Sequence, residues 1–152
     1  MRGLSGAGKT EYVRQHFPGH VRCSADDFFV GQDGVYRFRA DHLPAAHTSC
    51  QQKAAAAVAQ GRDVVIDNTM TQVWEAEFYL ALARDNGYLT ILVDLFNANL
   101  TDRQLAERNA HGVPEAAIKR MRERYESHHC FRTSVTRCAY WYSGTEPVPS
   151  SR

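Results

Sequence analysis

The sequence predicts an α/β protein: a three-layer sandwich in which a mostly parallel sheet carries helices on both faces. Strand-like and helix-like segments alternate along the chain, which is typical of a parallel sheet crossed by helices. Two strand-like segments, 63–68 and 89–96, contain continuous apolar runs of the kind that a strand covered on both faces requires. The 152 residues, 43% of them hydrophobic, suffice for one domain, which we expect at 1–142, followed by a loose tail at 143–152.

The first element is a glycine-rich loop, GLSGAGKT, at residues 3–10. Its spacing, G-x-x-x-x-G-K-[ST], is that of a phosphate-binding loop (P-loop), in which glycines permit positive φ so that backbone N–H groups point at an anion. The lysine of such a loop reaches the β- and γ-phosphates, and the threonine hydroxyl binds Mg²⁺. The predicted fold class is therefore that of a P-loop NTPase, with ATP and Mg²⁺ as ligands. The predicted nucleotide-binding residues are Gly3, Ser5, Gly6, Ala7, Gly8, Lys9 and Thr10, and Thr10 is also a predicted metal ligand.

The chain offers almost nothing in front of this loop. In a P-loop fold the strand that feeds the loop is usually the central one, and Met1 and Arg2 are too few to form it. An open edge in the middle of a parallel sheet would leave two rows of backbone groups unpaired. We therefore expect that the natural chain starts upstream; the alternative is a sheet with a stub where its middle strand belongs.

The elements after the loop begin with a helix at 9–17 and a short strand at 21–25. An aromatic segment, FFVGQDGVYRF, follows at 28–38 and predicts a hairpin with Asp33 and Gly34 at its tip. A second helix is predicted over 43–60, because an alanine-rich run follows a proline and ends at a glycine.

The second half of the chain has three further helix signals between its strands. Thr71 is the expected N-cap of a helix that carries Trp74, Phe78, Ala81 and Leu82 on one side and ends at Asn86-Gly87. Thr101 and Gln104 form a capping-box signature for a short helix. Pro114 opens a last helix, whose shared face consists of Ile118, Met121 and Tyr125.

Carboxylates follow two of the predicted strands at the edge where a parallel sheet binds its ligand. Asp26 and Asp27 come after the strand at 21–25; we expect Asp26 to be the catalytic base and Asp27 to cap or pack, the alternative being that both are caps. Asp67 ends the strand at 63–68, where a carboxylate holds the metal through water; the alternative is an ordinary turn residue. Asn68 and Thr69 are expected to offer hydrogen bonds to an acceptor.

Two arginines precede a hinge-like break at His111-Gly112. Arg103 and Arg108 lie on the short helix after the last predicted strand, where a lid that closes over ATP would need cations. We expect Arg108 to act in catalysis with Lys9 and Asp26. The alternative for each arginine is a solvated helix face.

Composition limits the classes of partner. The formal net charge of +1 gives no basic field for non-specific binding of nucleic acid, so any contact with a polynucleotide must be local. No apolar run approaches the length that spans a membrane, and we expect no signal peptide before the loop. The four cysteines are scattered without C-x-x-C spacing and a P-loop protein uses ATP or GTP, so we expect an intracellular protein, cytoplasmic or nuclear, and not a disulfide scaffold. The run His128 to Cys130, with Cys138 nearby, has no second pair of ligands, so we expect no structural metal.

The ordered motifs resemble a known family. The segments GLSGAGKT, SADDFF, VVIDNT, RNAHGVP and IKRMRERYE resemble the P-loop kinase module of phage-type 5′-hydroxyl polynucleotide kinases, and still more closely the small Nedd-binding-protein-two-like group. The resemblance runs from Gly3 to about Glu126. It implies that Lys9 and Thr10 serve the nucleotide and Mg²⁺, that Asp26 is the general base, that Asp67 is the strand-end acid, and that Arg108 is the first lid arginine.

Two positions depart from the family pattern. The kinases have an arginine three residues beyond the catalytic aspartate, where this chain has Phe29, and their second lid arginine falls near His111. The loss of both arginines weakens the case for a nucleic-acid acceptor more than the case for ATP binding.

Three functions follow as hypotheses. The first is a kinase acting on a 5′-hydroxyl polynucleotide end, single-stranded or exposed; the second is a kinase for a small hydroxylated metabolite; the third is a non-catalytic NTP-binding or ATPase module. A local basic track with exposed aromatic side chains would favour the first. Its candidate members are Phe28, Phe29, Tyr36, Arg37 and Arg39. The oligomeric state is not predicted.

Overall fold

The fold is described from a computed structural model, which covers residues 1–127 and the backbone of the strand at 138–142. The elements in chain order are α1 (Lys9–His16), β1 (Val21–Cys23), two 3₁₀ helices (Ala25–Phe29 and Ala40–His42), α2 (Leu43–Ala59), β2 (Val64–Ile66), α3 (Trp74–Asp85), β3 (Thr90–Val93), α4 (Asp102–Arg108), α5 (Glu115–Glu123) and β4 (Cys138–Tyr142). The predicted tail at 143–152 and the run His128 to Cys130 lie outside the described residues.

The strands form parallel pairs, as predicted for this α/β class. β1 pairs with β2 and β3 pairs with β4, both in parallel. Residues 1–4 lie between the two pairs: the terminal amine of Met1 donates to the carbonyl of Ile66 at 2.9 Å, and the N–H of Arg2 donates to the carbonyl of Val93 at 2.8 Å. Arg2 and Asp94 form one parallel bridge. The segment before the P-loop thus occupies the position predicted for the central strand, and β4 was not predicted.

α2 covers the β1–β2 side of the sheet. Its buried residues are small or medium in size and recur at helical spacing: Ala46, Cys50, Ala54, Ala57 and Val58. Pro44 lies in the first turn, and Gly61 follows the end with a φ of 67°. These local signals explain why the predicted bounds of this helix agree with the structure within one residue.

The predicted start of α3 was wrong. Thr71 is not the N-cap; it is fully buried, and its hydroxyl donates to Oε2 of Glu75 at 3.0 Å. The first free N–H groups are capped by glutamates instead, with Glu75 accepting from Gln72 and Glu126 accepting from Val73. The buried residues of α3 are Ala76 and Tyr79. Trp74 and Phe78, which the sequence places on one side of the helix, are 63% and 40% exposed.

Other local predictions are confirmed, except that Tyr125, predicted on the face of the last helix, lies beyond the end of that helix at Glu123. The capping box of Thr101 and Gln104 begins α4 with both reciprocal bonds present. Pro114 directly precedes α5, in which Ile118 is buried. The predicted hairpin turns at Gly34, where φ is 74°, and it closes with a bridge between Val30 and Tyr36. In the part of the chain that the structure describes, no helix has the length and apolarity that a bilayer crossing requires.

Candidate functional site

The glycine-rich loop forms an anion-binding nest at the start of α1. Gly6 and Gly8 have φ values of 84° and 90°, a backbone conformation that side chains with a Cβ rarely adopt. Within residues 1–127, the N–H groups of Gly6, Gly8, Lys9 and Thr10 have no acceptor. Unpaired N–H groups at a helix N-terminus attract phosphate through both hydrogen bonds and the helix dipole. The backbone therefore has the geometry that the loop sequence predicts.

Gly6 also allows α4 to pack directly against the loop. A Cβ built at this position would lie 2.2 Å from the carbonyl oxygen of Leu105. Leu4, Ala7, Leu105 and Ile118 form a buried cluster that joins the loop to α4 and α5. α4, which carries both predicted lid arginines, and α5 thus pack onto the phosphate-binding loop.

Lys9 lies back over the same loop. Its ammonium group donates to the carbonyl oxygens of Gly3 and Leu4, both at 3.1 Å. Burial lowers the pKa of Lys9 below the ordinary lysine value, while Asp67 and Asp26 act in the opposite direction. A phosphate group in the nest would restore a full negative partner to this ammonium group.

Thr10 and Asp67 are in direct contact beside the P-loop. The Thr10 hydroxyl donates to Oδ2 of Asp67 at 2.8 Å, so its oxygen lone pairs stay available for a cation. Asp67 is 3% exposed, and its Oδ1 has no hydrogen-bond partner among the described residues. An unpaired buried carboxylate oxygen is costly, and a metal ion or its water shell would satisfy it.

This pair fits Mg²⁺ better than a metal that prefers side-chain nitrogen or sulfur. Within the described ranges, no group of three or more His, Cys, Asp or Glu side chains could hold a metal ion. Mg²⁺ usually keeps several waters and takes its other ligands from substrate phosphates. Thr10 would bind the ion directly and Asp67 would hold its water.

The two adjacent carboxylates point into different surroundings. Asp27 is held by two cations, the guanidinium of Arg22 and the ammonium of Lys53, the latter at 3.1 Å. Asp26 keeps 52% of its side chain exposed: the Tyr36 hydroxyl donates to it at 3.2 Å, and the His111 ring lies 3.9 Å away. Asp26 is therefore the member of the pair that an acceptor can reach.

Tyr36 and His111 bring two distant segments to Asp26. Their rings lie 4.1 Å apart, which joins the hairpin to the turn between α4 and α5. Burial raises the pKa of the Tyr36 phenol well above its ordinary value, and the Asp26 carboxylate adds to this shift. Tyr36 therefore stays a hydrogen-bond donor at neutral pH.

Asn68 and Thr69 hold backbone around the site. Oδ1 of Asn68 accepts from the N–H of Ala25 at 2.9 Å, which fixes the 3₁₀ helix that carries Asp26. The carbonyl of Thr69 accepts from the N–H of Gly3 at 3.0 Å. Their predicted contact with an acceptor stays a prediction.

The two arginines of α4 differ. Arg103 pairs with Glu107 at 2.9 Å on the exposed face of the helix, as the solvated alternative predicts. Arg108 ends the helix, is exposed, and makes no hydrogen bond or ion pair with any side chain of residues 1–127. Its predicted role in catalysis stays a prediction.

Arg22 belongs to the site but was not predicted from the sequence. Its guanidinium contacts both Asp67 and Asp27. An arginine inside a strand that runs into the carboxyl edge of a parallel sheet was the available signal.

Together, the parallel sheet, the nest at the start of α1 and the Lys9-Thr10 pair define a nucleotide-binding protein with a P-loop NTPase-type fold. Residues 1–128 match the family model described as AAA domain, and the chain belongs to that family.

The chain is also similar to human NEDD4-binding protein 2, with 34% identity over 131 residues. The match covers 83% of this chain but 7% of the relative, so the chain spans a small part of that protein's length. Both comparisons support an enzyme of the P-loop kinase or NTPase type.

Proposed function

We propose that the protein is an ATP- and Mg²⁺-dependent phosphotransferase that phosphorylates the 5′-hydroxyl end of a polynucleotide. The observation that carries this proposal is the reachable Asp26 carboxylate. It lies close enough to Lys9 that its charge, like that of Asp67, raises the pKa of the lysine. A base beside a phosphate-binding loop and a metal carboxylate is the set that phosphoryl transfer to a hydroxyl group requires.

The residues of the site have different roles in this reaction. Asp26 accepts the proton of the acceptor hydroxyl while the hydroxyl oxygen bonds to the γ-phosphorus of ATP. The bond from that phosphorus to the β,γ-bridging oxygen breaks, and ADP leaves. Lys9, the loop N–H groups and Arg108 stabilise the negative charge of the transferred group. Mg²⁺, when bound, neutralises charge on the β- and γ-phosphate oxygens.

Exposed aromatic side chains near Asp26 support an acceptor that contains nucleobases. Phe28 and Phe38 are 42% and 53% exposed, and bases stack on such rings without sequence preference. The order of the motifs, which resembles that of the phage-type 5′-hydroxyl kinases, supports the same acceptor.

A small hydroxylated metabolite is the second candidate. Arg37 and Arg39, expected in a basic track, pair with Asp33 and Asp41 at 2.6 and 2.7 Å, and Phe29 is buried at 5% exposure. The surface beside Asp26 is therefore aromatic but not basic. An acceptor with few phosphates suits this surface as well.

A labelling experiment distinguishes these functions. The protein is incubated with γ-labelled ATP and 5′-hydroxyl oligonucleotides of DNA and RNA, with 5′-phosphorylated copies of each sequence as controls and nucleosides and sugars as small acceptors. We expect label on the 5′-hydroxyl oligonucleotides and none on their phosphorylated copies. Label on small acceptors alone would establish the metabolite kinase. ATP binding without transfer to any acceptor would establish a nucleotide-binding or ATPase module.

A further inference from the structure

Arg22 links the ends of the two strands that carry the carboxylates. One nitrogen, Nη1, donates to Oδ2 of Asp67 at 3.0 Å, and Nη2 contacts Oδ1 of Asp27. The arginine lies on β1 and Asp67 directly follows β2, so the contact crosses the site between neighbouring strands. Asp67 is almost completely buried, and 32% of the Arg22 side chain is exposed.

The contacts of Asp67 are unequal on its two oxygens. Oδ2 accepts from both the Thr10 hydroxyl and Arg22, whereas Oδ1 has no partner among residues 1–127. Two donors on one oxygen fix the rotation of the carboxylate group, and they leave the other oxygen to face whatever enters the site. Arg22 itself is held by Asp27, whose second oxygen is taken by Lys53.

We propose that Arg22 is a positioning residue, which orients Asp67 toward the metal ion of the bound nucleotide. The inference rests on the proposed function for the identity of that metal, Mg²⁺. Groups that hydrogen-bond to metal-holding carboxylates typically change metal affinity by about 10- to 100-fold when they are removed. The planar fork of arginine reaches two carboxylates at once, which the single ammonium group of lysine does not reproduce.

The charge of Arg22 and its orienting contact with Asp67 change the Mg²⁺ affinity in opposite directions. A cation beside Asp67 repels Mg²⁺, so removing the charge alone would strengthen metal binding. Removing the orientation would weaken it. The sign of the change in Mg²⁺ affinity therefore separates the two roles.

The experiment measures binding and needs no acceptor. Calorimetry with a non-hydrolysable imido analogue of ATP is carried out over a series of Mg²⁺ concentrations and in the presence of a chelator. The variants are Arg22→Gln, which removes the charge and the fork, and Arg22→Lys, which keeps the charge and loses the fork. Arg14→Gln is the control, because Arg14 is an exposed arginine on α1 that pairs with Glu11.

We expect the Mg²⁺ concentration for half-maximal binding to rise about tenfold in both Arg22 variants and to stay unchanged in Arg14→Gln. Equal or tighter Mg²⁺ dependence in Arg22→Gln, or parental dependence in Arg22→Lys, would overturn the proposal. Equal weakening with Mg²⁺ and with chelator would overturn it too, because Arg22 would then contact the nucleotide directly.

Melting curves check that the variants are folded, and Arg22→Lys decides alone if Arg22→Gln does not fold. A parent protein that binds no analogue at all contradicts the proposed function itself. A parent that binds the analogue while both Arg22 variants match it contradicts this inference and leaves the proposed function standing.

Discussion

Asp26 and Asp27 show how surroundings give two identical side chains different capacities. Asp27 is held in place by ion pairs with Arg22 and Lys53. Asp26 has a tyrosine hydroxyl and a histidine ring beside it and keeps an open side toward solvent. A carboxylate with a free lone pair is what an acceptor hydroxyl needs.

Replacing each carboxylate by its amide should separate proton transfer from metal binding. Asp26→Asn keeps the shape but removes the proton acceptor, so we expect phosphotransfer to fall by about 10²- to 10⁴-fold with little change in ATP affinity. Asp67→Asn should raise the Mg²⁺ concentration needed for the same rate, because it removes a charge directed at the ion's water shell. Rates at saturating ATP over a Mg²⁺ series measure both effects.

Asp41→Asn is the matched control, since Asp41 is exposed and pairs with the surface residue Arg39. Exchanged phenotypes would show that the two roles are assigned the wrong way round. Full phosphotransfer in both variants would contradict the whole site assignment.

Lys9 leads to a prediction about pH. Burial lowers its pKa from 10.5, so the free protein loses this charge at a lower pH than an ordinary lysine does. Phosphates in the loop favour the charged form and raise the pKa again. ATP affinity should therefore fall as pH rises through the Lys9 pKa of the free protein, and binding in that range should take up protons.

Calorimetry of ATP binding in buffers with different heats of ionisation measures this uptake. Lys9→Met should abolish the uptake and weaken binding by about 2–3 kcal/mol. Lys119→Met, at an exposed position of α5, should retain both. Proton uptake that persists in Lys9→Met would assign it to another group.

Among the elements, the contact between the P-loop and α4 depends on the absence of a side chain at Gly6. Gly6→Ala places a Cβ 2.2 Å from the Leu105 carbonyl oxygen at a φ of 84°, so the loop or α4 must move. We expect a loss of roughly 2–4 kcal/mol in the free energy of unfolding, measured by chemical denaturation.

Two other glycines calibrate this cost. Gly8→Ala has open space but the same sign of φ, so it should lose about 1–2 kcal/mol. Gly19→Ala meets nothing within 4 Å, and its φ lies outside the positive region, so it should change stability by about 0.5 kcal/mol or less. Equal losses in Gly6→Ala and Gly8→Ala would mean that backbone strain, and not the close approach of α4, determines the requirement at residue 6.

Elements with local start and stop signals could be predicted from the sequence, whereas elements that depend on distant contacts could not. α2 and α4 carry their own start and stop signals, and the P-loop residues are contiguous, so local patterns sufficed for all three. α3 takes one cap from Glu126, which lies 53 residues from Val73, and no local pattern contains that contact. Arg22 and Asp67 are 45 residues apart in the sequence. Their contact depends on the pairing of β1 with β2, so the sequence alone could not predict it either.

At the scale of the whole molecule, a buried polar network joins the start of the chain to the end of the described helices. Arg2 is fully buried; it lies 3.5 Å from Asp94, and its guanidinium is 4.0 Å from the centre of the Tyr125 ring. It also donates to the carbonyl of Glu126 at 2.7 Å. Because Glu126 follows α5, the network fixes α5 to the centre of the sheet, directly behind the P-loop.

The Asp94 carboxylate holds this network together. It accepts from the Tyr125 hydroxyl at 2.6 Å and from the N–H of Phe96 at 2.8 Å, and it is the anion beside the buried guanidinium of Arg2. Burial raises the pKa of Tyr125 above its ordinary value, and Asp94 adds to this shift, so the phenol remains a donor to Asp94. A change at Asp94 therefore affects contacts from three parts of the chain.

Asp94→Asn should destabilise the molecule as a whole. It keeps the shape and one acceptor oxygen but leaves the buried Arg2 without its anion, and an uncompensated buried charge typically costs about 3–5 kcal/mol. The carbonyl of Glu126 still accepts from Arg2, so we expect a loss of about 3 kcal/mol in the free energy of unfolding, measured by chemical denaturation. Asp85→Asn, which removes a carboxylate from an exposed pair with Arg84, should leave the unfolding curve unchanged. The loss should be global, because α5 and the sheet share the network: hydrogen exchange should accelerate in α2 and β1 as well as in α5. Faster exchange in α5 alone would show that the network anchors only that helix, and an unchanged denaturation midpoint would show that Asp94 does not stabilise Arg2.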